Sequence, residues 1–218
     1  MSAGASGAAR LLALAGAVGL ACAGCGAFGA FGTREDPFPV QATAKGVTPQ
    51  FDLAVEDDRL VVEYVLENRG EEPVVVIDQL PRIIGMGELE AEDIDPALAY
   101  VSAPGGGIVR VSRQVWGLGD ESGDASVQPV VGGTRIAPGE GHRGRMEVPL
   151  PAEARGPEYS SPDYSDRGLR RADSIQVCLG IVDDLDGDAE LVPVPAGVDG
   201  QVLLCSGTEA LPAEMTLD

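Results

Sequence analysis

The chain has 218 residues, with 35 Asp and Glu against 15 Lys and Arg, so its formal net charge is −20. A surface this negative repels phosphate backbones and anionic lipid, which disfavours nucleic acid as a partner and means that membrane attachment needs a hydrophobic or covalent device. The 30 glycines and 16 prolines, beside 44% apolar residues, disfavour long helices and favour a core of short strands joined by turns.

Residues 1–24 have the parts of an export signal. One positive charge, Arg10, precedes an apolar run from Leu11 to Ala23, which small residues extend to Cys25. As a helix this run is about 20 Å long, shorter than the roughly 30 Å hydrocarbon core of a membrane. The segment is therefore predicted to be a signal peptide with lipid attachment. An ordinary signal peptide and an uncleaved anchor helix are the alternatives.

The end of this segment, Ala23-Gly24-Cys25, resembles the lipobox of bacterial lipoproteins, in which small residues precede an invariant cysteine. The resemblance implies that the signal is cut before Cys25 and that this thiol carries acyl chains such as palmitate, which anchor the protein stably. Position −3 is Cys22 where the family usually has leucine, and Cys22 is the fallback lipidation site. The family also implies a place in the cell envelope, with the domain facing the extracytoplasmic space.

The mature chain divides into a tether, a domain and a tail. Residues 25–49, the lipidated cysteine and a segment rich in Gly, Ala, Thr and Pro, are predicted to be a flexible tether. Residues 50–206 alternate apolar and polar side chains in eight or nine predicted strands, and residues 207–218 are predicted to be a C-terminal tail. The strand candidates are 51–56, 60–67, 74–77, 99–103, 108–116, 127–136, 143–150, 174–182 and 201–206.

The spacing of turns between these candidates is typical of an antiparallel β-sandwich. The stretch VVEYVLENRGEEPVVVID resembles a strand–loop–strand hairpin of bacterial immunoglobulin-like modules, and RIAPGEGHRGRMEVPLP resembles the turn before a late strand in such modules. The predicted fold class is therefore all-β, an antiparallel immunoglobulin-like β-sandwich. Abundant negative charge and proline are expected to protect its edge strands.

Two cysteines remain after the signal region, and they lie in the last two predicted strands. In an oxidising compartment Cys178 and Cys205 are expected to form a disulfide. Cys178 shares the phase of Gln176, opposite the apolar face of its strand, which places the bridge on a sheet surface. A redox or metal-binding pair is the alternative, although the domain has neither a C-x-x-C motif nor a histidine nearby.

The stretch 183–190 places carboxylates at alternate positions, a pattern of hard oxygen ligands that suits one weakly bound calcium ion. Counting from Asp184, the glycine falls at position 4 rather than at position 6 of an EF-hand loop, and position 12 is Pro195. The alternative is an acidic hairpin tip, for which Asp-Gly is a preferred turn. The candidate calcium ligands are Asp184, Asp186, Asp188 and Glu190.

The sequence offers little catalytic chemistry. The single histidine, His142, is predicted to lie in a surface turn; a copper site shared with Met146 is the alternative. There is no G-x-S-x-G nucleophile elbow. Trp116 ends a strand and is predicted to be a core or rim residue, with ligand stacking as the alternative. A second acidic cluster is predicted to be a solvated loop, with glycosidase carboxylates as the alternative; its members are Glu88, Glu90, Glu92, Asp93 and Asp95.

Three functions are compatible with these features. The first is a non-enzymatic envelope lipoprotein that binds another envelope protein or stabilises an assembly, since a sandwich presents loops and edges. The second is an ion- or ligand-binding module with calcium at 183–190. The third is an unrecognised hydrolase that uses carboxylates. No catalytic residue is assigned, and no cofactor apart from calcium is expected.

Overall fold

The structure is a computed structural model that describes residues 39–82, 89–116, 129–156, 166–185 and 191–215. These ranges contain thirteen strands, one helical turn, α1 (Asp166–Leu169), and two 3-10 turns, Ala91–Asp93 and Ala213–Met215. The strands are β1 (Val40–Gln41), β2 (Val47–Glu56), β3 (Arg59–Asn68), β4 (Val74–Pro81), β5 (Ile94–Asp95), β6 (Tyr100–Gly105), β7 (Ile108–Arg113), β8 (Val130–Ile136), β9 (Gly141–Pro149), β10 (Ser174–Asp183), β11 (Val192–Pro195), β12 (Val202–Cys205) and β13 (Glu209–Ala210).

The predicted all-β sandwich is confirmed, and each strand candidate falls on an observed strand. The unpredicted strands are β11 and the two-residue strands β1, β5 and β13. The sequence of β11 contains Pro193 and Pro195, which argue against a central strand. Among the described strands, β11 pairs only with β8, at the end of the strand order, where a missing N–H need not face a neighbour.

The strands form two sheets. The three-stranded sheet has the order β2-β3-β9 and is antiparallel throughout. The ten-stranded sheet has the path β1-β12-β10-β4-β8-β11, with β5, β6, β7 and β13 attached beside it. Two of its pairs, β1 with β12 and β7 with β10, are parallel, so this sheet is mixed. The parallel pair β7 and β10 requires a crossover, and the intervening chain contains β8, β9 and α1.

The ten-stranded sheet forks along one side of β10. The first part of β10, Ser174–Leu179, pairs with β7, and its end, Ile181–Asp183, pairs with β4. Gly180 lies between the two parts, and a Cβ atom there would be 2.8 Å from Ile77 Cδ1. A larger residue would therefore disturb the point at which β4 and β7 separate.

The main core lies between the two sheets. Alternate residues of β3 and β9 pack there against alternate residues of β4, β7, β10 and β12. A second apolar cluster contains Val75 and Ile77, whereas Val74 and Val76 belong to the main core. β4 is therefore buried on both faces, as its continuous β-branched run indicates. None of the helices in the described ranges combines the length and apolar character needed to span a bilayer.

The folded part extends past both predicted boundaries. β1 and the start of β2 fall within the predicted tether 25–49, and Val47 is fully buried. At the other end, β13 pairs with β10, and Met215 is 3% exposed. The tether therefore ends earlier than residue 49, and the predicted tail 207–218 includes residues of the domain. Strands of two residues are too short to produce a recognisable alternation in the sequence.

Candidate functional site

A buried polar cluster lies between the sheets, around the last residue of β7. Arg113 is 1% exposed and occupies the same phase of β7 as Val109 and Val111, which belong to the main core. Its side chain therefore reaches toward the three-stranded sheet. An arginine in this position needs partners for its charge and for every N–H group.

All five guanidinium N–H groups of Arg113 can be assigned an acceptor. Nη1 donates two hydrogen bonds, Nη2 donates two and Nε donates one. Because the acceptors come from β3, β4, β9 and the segment between β5 and β6, this side chain joins both sheets. The acceptors are the Tyr64 hydroxyl (3.0 Å) and the carbonyls of Asp78 (2.7 Å), Leu98 (2.7 Å), Pro96 (2.5 Å) and Arg145 (2.7 Å).

A β-bulge places Asp78 in the same cluster. Its neighbours Ile77 and Gln79 pair with adjacent glycines of β8, so Asp78 is the extra residue of β4. Such a residue bends its strand and redirects its side chain. The Asp78 side chain is 6% exposed, accepts the Thr134 hydroxyl at 3.0 Å and lies 2.6 Å from His142 Nε2. The bulge thus adds a carboxylate to the surroundings of Arg113.

The prediction of a surface turn at His142 was wrong. His142 is the second residue of β9, lies opposite Leu66, and has a side chain that is 21% exposed. The alternation of β9 begins with glycine, which has no side chain to signal a strand, so the strand starts earlier than the sequence indicates. Met146, the partner in the copper alternative, is fully buried in the apolar core.

In an aspartate–histidine pair, the aspartate can orient the histidine so that the imidazole acts as a general base. The Thr134 hydroxyl of the cluster accepts from Gln79 Nε2 at 3.0 Å and donates to Asp78. Within the described ranges, the His142 imidazole forms no hydrogen bond with a hydroxyl or thiol. The Asp78–His142 pair thus makes its side-chain contacts within the cluster between the two sheets.

Burial shifts the pKa of two members of the cluster, Tyr64 and Arg113. It raises the pKa of Tyr64 to about 12, while Arg113 opposes this rise and the charge of Asp78 adds to it. Burial also lowers the pKa of Arg113, against the influence of Tyr64 and Asp78. Gly144 lies opposite Tyr64, and a Cβ atom there would be 2.0 Å from Tyr64 Oη. Glycine at this position therefore leaves room for a neutral phenol to reach the guanidinium.

Tyr64→Phe is expected to remove a loss of stability at alkaline pH. The pKa of Tyr64 is about 12 in the folded protein, against an ordinary value of 10.0 for tyrosine, so the unfolded chain ionises first. The contribution of Tyr64 to the free energy of unfolding is complete below pH 10 and falls by about 2 kcal/mol by pH 12. Urea unfolding of both proteins between pH 9 and pH 12 measures the difference. Parallel stability curves for the two proteins would contradict this assignment.

The predicted cysteine pair is brought together. Cys178 in β10 lies directly opposite Cys205 in β12, and the two form a disulfide. They are 0% and 5% exposed, so the expectation of a bridge on a sheet surface was wrong. Both cysteines face away from the main core, as their phase indicates, but they pack with Leu203 in a small buried cluster of their own.

Only one predicted calcium ligand lies among the described residues. Asp184 Oδ1 is 2.5 Å from Nε of Arg135 in β8, so one oxygen of this carboxylate pairs with an arginine of the domain. In the described part of the chain, no group of three or more His, Cys, Asp or Glu side chains is arranged to hold a metal ion. Outside the described residues lie Asp186, Asp188, Glu190 and the lipidation candidates Cys22 and Cys25.

The structure also describes part of the second acidic cluster and Trp116. Asp95 of the second acidic cluster belongs to β5, and its carboxylate is 3.7 Å from Arg82 Nε; Glu88 lies outside the described residues. Trp116 is partly buried, and its ring centroid is 6.3 Å from that of Tyr100. This contact agrees with the prediction that Trp116 is a core or rim residue.

The outer edge of β9 is closed in its second half. The Glu147 amide donates to the Ala97 carbonyl at 2.7 Å. The Arg145 carbonyl accepts from Nη2 of Arg113. The chain between β5 and β6, together with the buried arginine, therefore occupies backbone groups that would otherwise be available to another strand.

The other edge of this sheet is formed by β2, and its register shows which backbone groups point outward. The Arg69 amide donates to the Gly46 carbonyl at 2.9 Å. Gly46 directly precedes Val47, the first residue of β2, which lies opposite Asn68. Because hydrogen-bonded and non-hydrogen-bonded pairs alternate along antiparallel strands, the even-numbered residues of β2 bond to β3. The odd-numbered residues direct their N–H and C=O groups away from the sheet.

The outward edge of β2 is protected only at its start. Val47 exchanges backbone hydrogen bonds with Ala44, and Pro49 has no N–H to donate. The next three outward residues, Phe51, Leu53 and Val55, have no backbone partner on this side among the described residues. We name these three residues the open edge.

The side chains of the open edge face the core but are only partly buried. Those of the neighbouring strand, Leu60, Val62, Tyr64 and Leu66, are at most 2% exposed. The core is therefore less completely covered beside β2 than beneath β3.

Comparison of the whole chain with protein-family models, curated proteins and solved structures finds no match.

Proposed function

We propose that this chain is a cell-envelope lipoprotein, anchored by acyl chains on Cys25, whose domain binds another envelope protein and is not an enzyme. The lipobox-like end of the signal region supports the anchor. The Cys178–Cys205 disulfide supports an extracytoplasmic location, because such bonds persist in oxidising compartments.

The observation that carries the binding role is the difference between the two edges of the three-stranded sheet. β9 is occupied along part of its edge by Ala97 and Arg113, whereas the open edge presents three N–H and three C=O groups. Unpaired strand edges are templates for a further strand, and many proteins recognise extended peptides by adding them to a sheet in this way.

The partial burial of the open edge supports the same role. Phe51, Leu53 and Val55 pack against the main core yet keep part of their surface exposed. A strand added beside β2 would cover this surface as well as the backbone groups. Burial of apolar area and formation of hydrogen bonds would then favour the same complex.

Cys25→Ser tests the anchor. Native protein is expected in the membrane fraction, with residues 1–24 removed and the mass of acyl chains added at Cys25. Cys25→Ser should abolish the added mass and membrane retention, whereas the matched variant Cys22→Ser should leave both unchanged. Native protein that keeps Met1, carries an unmodified Cys25 and lies in the cytosol would refute the location and the anchor.

Site-specific photo-crosslinking in intact cells tests the binding role. A photoreactive residue in place of Ala54, which is exposed on β2, is expected to capture another envelope protein. The same residue in place of Arg145, which is exposed on the closed part of β9, is the matched control. Capture at Ala54 that is lost in Leu53→Pro supports the open edge as the binding surface. Equal capture at both positions, or none at either, would count against it.

A further inference from the structure

We infer that the open edge receives an extended strand in which apolar residues alternate with Lys or Arg. This inference rests on the proposed protein-binding function and adds the chemistry of the partner. It follows from the charges on the solvent face of the three-stranded sheet, from the apolar side chains beneath the open edge, and from the unprotected backbone groups between them.

A row of charged residues crosses the solvent face and ends at β2. Asp52 lies opposite Glu63 of β3, and Glu63 lies opposite Arg145 of β9. Arg145 Nη1 is 3.6 Å from Glu63 Oε1, so the inner carboxylate has a cation beside it. Like charges directly opposite each other disfavour strand pairing, and opposite charges favour it.

Asp52 ends this row without a cation. It is exposed, it has Glu63 on one side, and no Lys, Arg or His forms an ion pair with it in the part of the chain that the structure describes. A Lys or Arg on a strand added beside β2 would lie opposite Asp52 and continue the alternation of charge. The register thus points to a basic side chain on the solvent face of the partner.

The opposite face of the same partner strand would meet the core. Phe51, Leu53 and Val55 are partly buried and pack against the main apolar cluster. Side chains alternate between the two faces of a strand, so residues that flank a basic position on the partner point toward this apolar surface. Alternation of basic and apolar residues satisfies both faces, while a uniformly basic segment satisfies only one.

The charge of β2 also argues against a second copy of this chain as the occupant. From Val47 to Glu56 the strand contains two acidic residues and no basic residue. Pairing of two β2 edges would therefore bring acids toward acids. The formal net charge of −20 adds a general repulsion between copies, so a basic strand from a different protein is the better complement.

Binding of designed peptides to the full chain in detergent tests this chemistry. Three labelled nine-residue peptides would alternate valine with lysine, with serine or with glutamate, and fluorescence anisotropy would measure their affinities. The lysine peptide is expected to bind at least about 5-fold more tightly than the serine peptide, and the glutamate peptide more weakly than either. Raising the salt concentration should reduce the preference for lysine, because exposed charges are screened.

Two protein variants distinguish the effect of the Asp52 carboxylate from the effect of the protein's overall negative charge. Asp52→Asn is expected to weaken the lysine peptide by about 2- to 5-fold while leaving the serine peptide unchanged. Glu153→Gln removes an exposed acid that lies outside β2 and should change neither affinity. Equal losses in the two variants, or equal binding of all three peptides, would overturn the basic-strand inference. Crosslinking at Ala54 would in that case still support the proposed binding function.

A change in the peptide alone tests backbone pairing without any risk to the fold. Lysine peptides with N-methyl groups on the alternate amides that would face β2 are expected to lose about 10-fold or more in affinity. Methylation of the other set of alternate amides is the matched control. Undiminished binding of both methylated peptides would overturn strand addition.

Two other occupants give distinct results. Sedimentation that shows a dimer of the full chain, abolished by Leu53→Pro, would assign the open edge to a second copy and overturn the inference. Crosslinking from Ala54 to residues 26–38 of the same chain would assign the edge to the protein's own N-terminal segment, and would overturn both the inference and the proposed binding role of the edge. A monomeric chain that crosslinks from Ala54 to a segment of a different protein in which apolar residues alternate with Lys or Arg supports both proposals.

Discussion

Arg113→Met is expected to lower the free energy of unfolding by about 3–5 kcal/mol, or to prevent folding altogether. Methionine has a comparable length and an apolar surface, so it fills most of the space, but it has no N–H group to donate. Four carbonyls and the Tyr64 hydroxyl would each lose a hydrogen bond in a buried region. The variant would also leave the buried Asp78 carboxylate without the nearby guanidinium.

The opposing effect is the removal of a buried charge. Taking a guanidinium out of water is unfavourable, and some buried ionic groups can be replaced by apolar residues without loss. In those cases the side chains that pair with the buried charge are replaced by apolar residues as well. Here the partners are mostly backbone carbonyls, which remain whatever residue occupies position 113, so the loss of several acceptors outweighs the relief of desolvation.

Urea unfolding, followed by the fluorescence of the single tryptophan, measures this change. Arg143→Met removes an exposed arginine of β9 and is the matched control, for which a change within about 0.5 kcal/mol is expected. Arg113→Lys keeps the charge but has three donors in place of five, so it should recover only part of the stability. An Arg113→Met variant as stable as the native protein would show that the cluster does not hold the sheets together.

Removal of the disulfide is expected to produce the second large effect. Cys178 and Cys205 are separated by 27 residues, and closing a loop of this length stabilises a fold by about 3–4 kcal/mol through the entropy of the unfolded chain. The double replacement Cys178→Ala and Cys205→Ala should therefore lower the free energy of unfolding by about this amount. Both positions are buried, so alanine avoids placing a new polar group there.

Unfolding with and without a reductant provides the control. Reduction should lower the unfolding midpoint of the native protein and leave that of the double alanine variant unchanged. The same midpoint for the native protein under both conditions would mean that the bridge does not contribute to stability. Because Cys22 and Cys25 are present in the full chain in both cases, only the loss of the bridge distinguishes the two proteins.

Local patterns in the sequence were sufficient for most of the strands. Alternation located β2, β3, β9 and β10, and the continuous run at Val74–Ile77 indicated a strand buried on both faces. The cysteine pair followed from its position in two late strands. The strand candidate 127–136 contains Gly132-Gly133, and β8 is continuous through both glycines. A Cβ atom at Gly133 would be 2.5 Å from Val75 Cγ1, a requirement that only the neighbouring strand reveals.

The polar cluster was missed because its members are far apart in the sequence. A signal was present at Arg113, which continues the phase of Val109 and Val111 where another apolar residue is expected. Nothing local indicates Asp78, because its bulge depends on the register between β4 and β8. The pairing of Asp78 with His142 depends in turn on how the two sheets face each other.

The open edge also depends on strand order, which alternation does not specify. Negative charge and proline were expected to protect the edge strands. Pro49 protects one position of β2, but Asp52 and Glu56 point to the solvent face rather than along the edge. Their charges therefore leave the backbone of Phe51–Val55 accessible, and this placement could be recognised only after the register of β2 and β3 was known.

The central place of β10 determines how slowly its backbone can exchange hydrogen with solvent. Leu179 has a paired residue on each side, Leu204 in β12 and Arg113 in β7. Neighbouring strands on both flanks must detach before deuterium can replace all the amide protons of this segment. Isotope exchange at the centre of β10 should consequently follow the opening of the whole domain, whereas amides of the terminal strands exchange through smaller and more frequent openings.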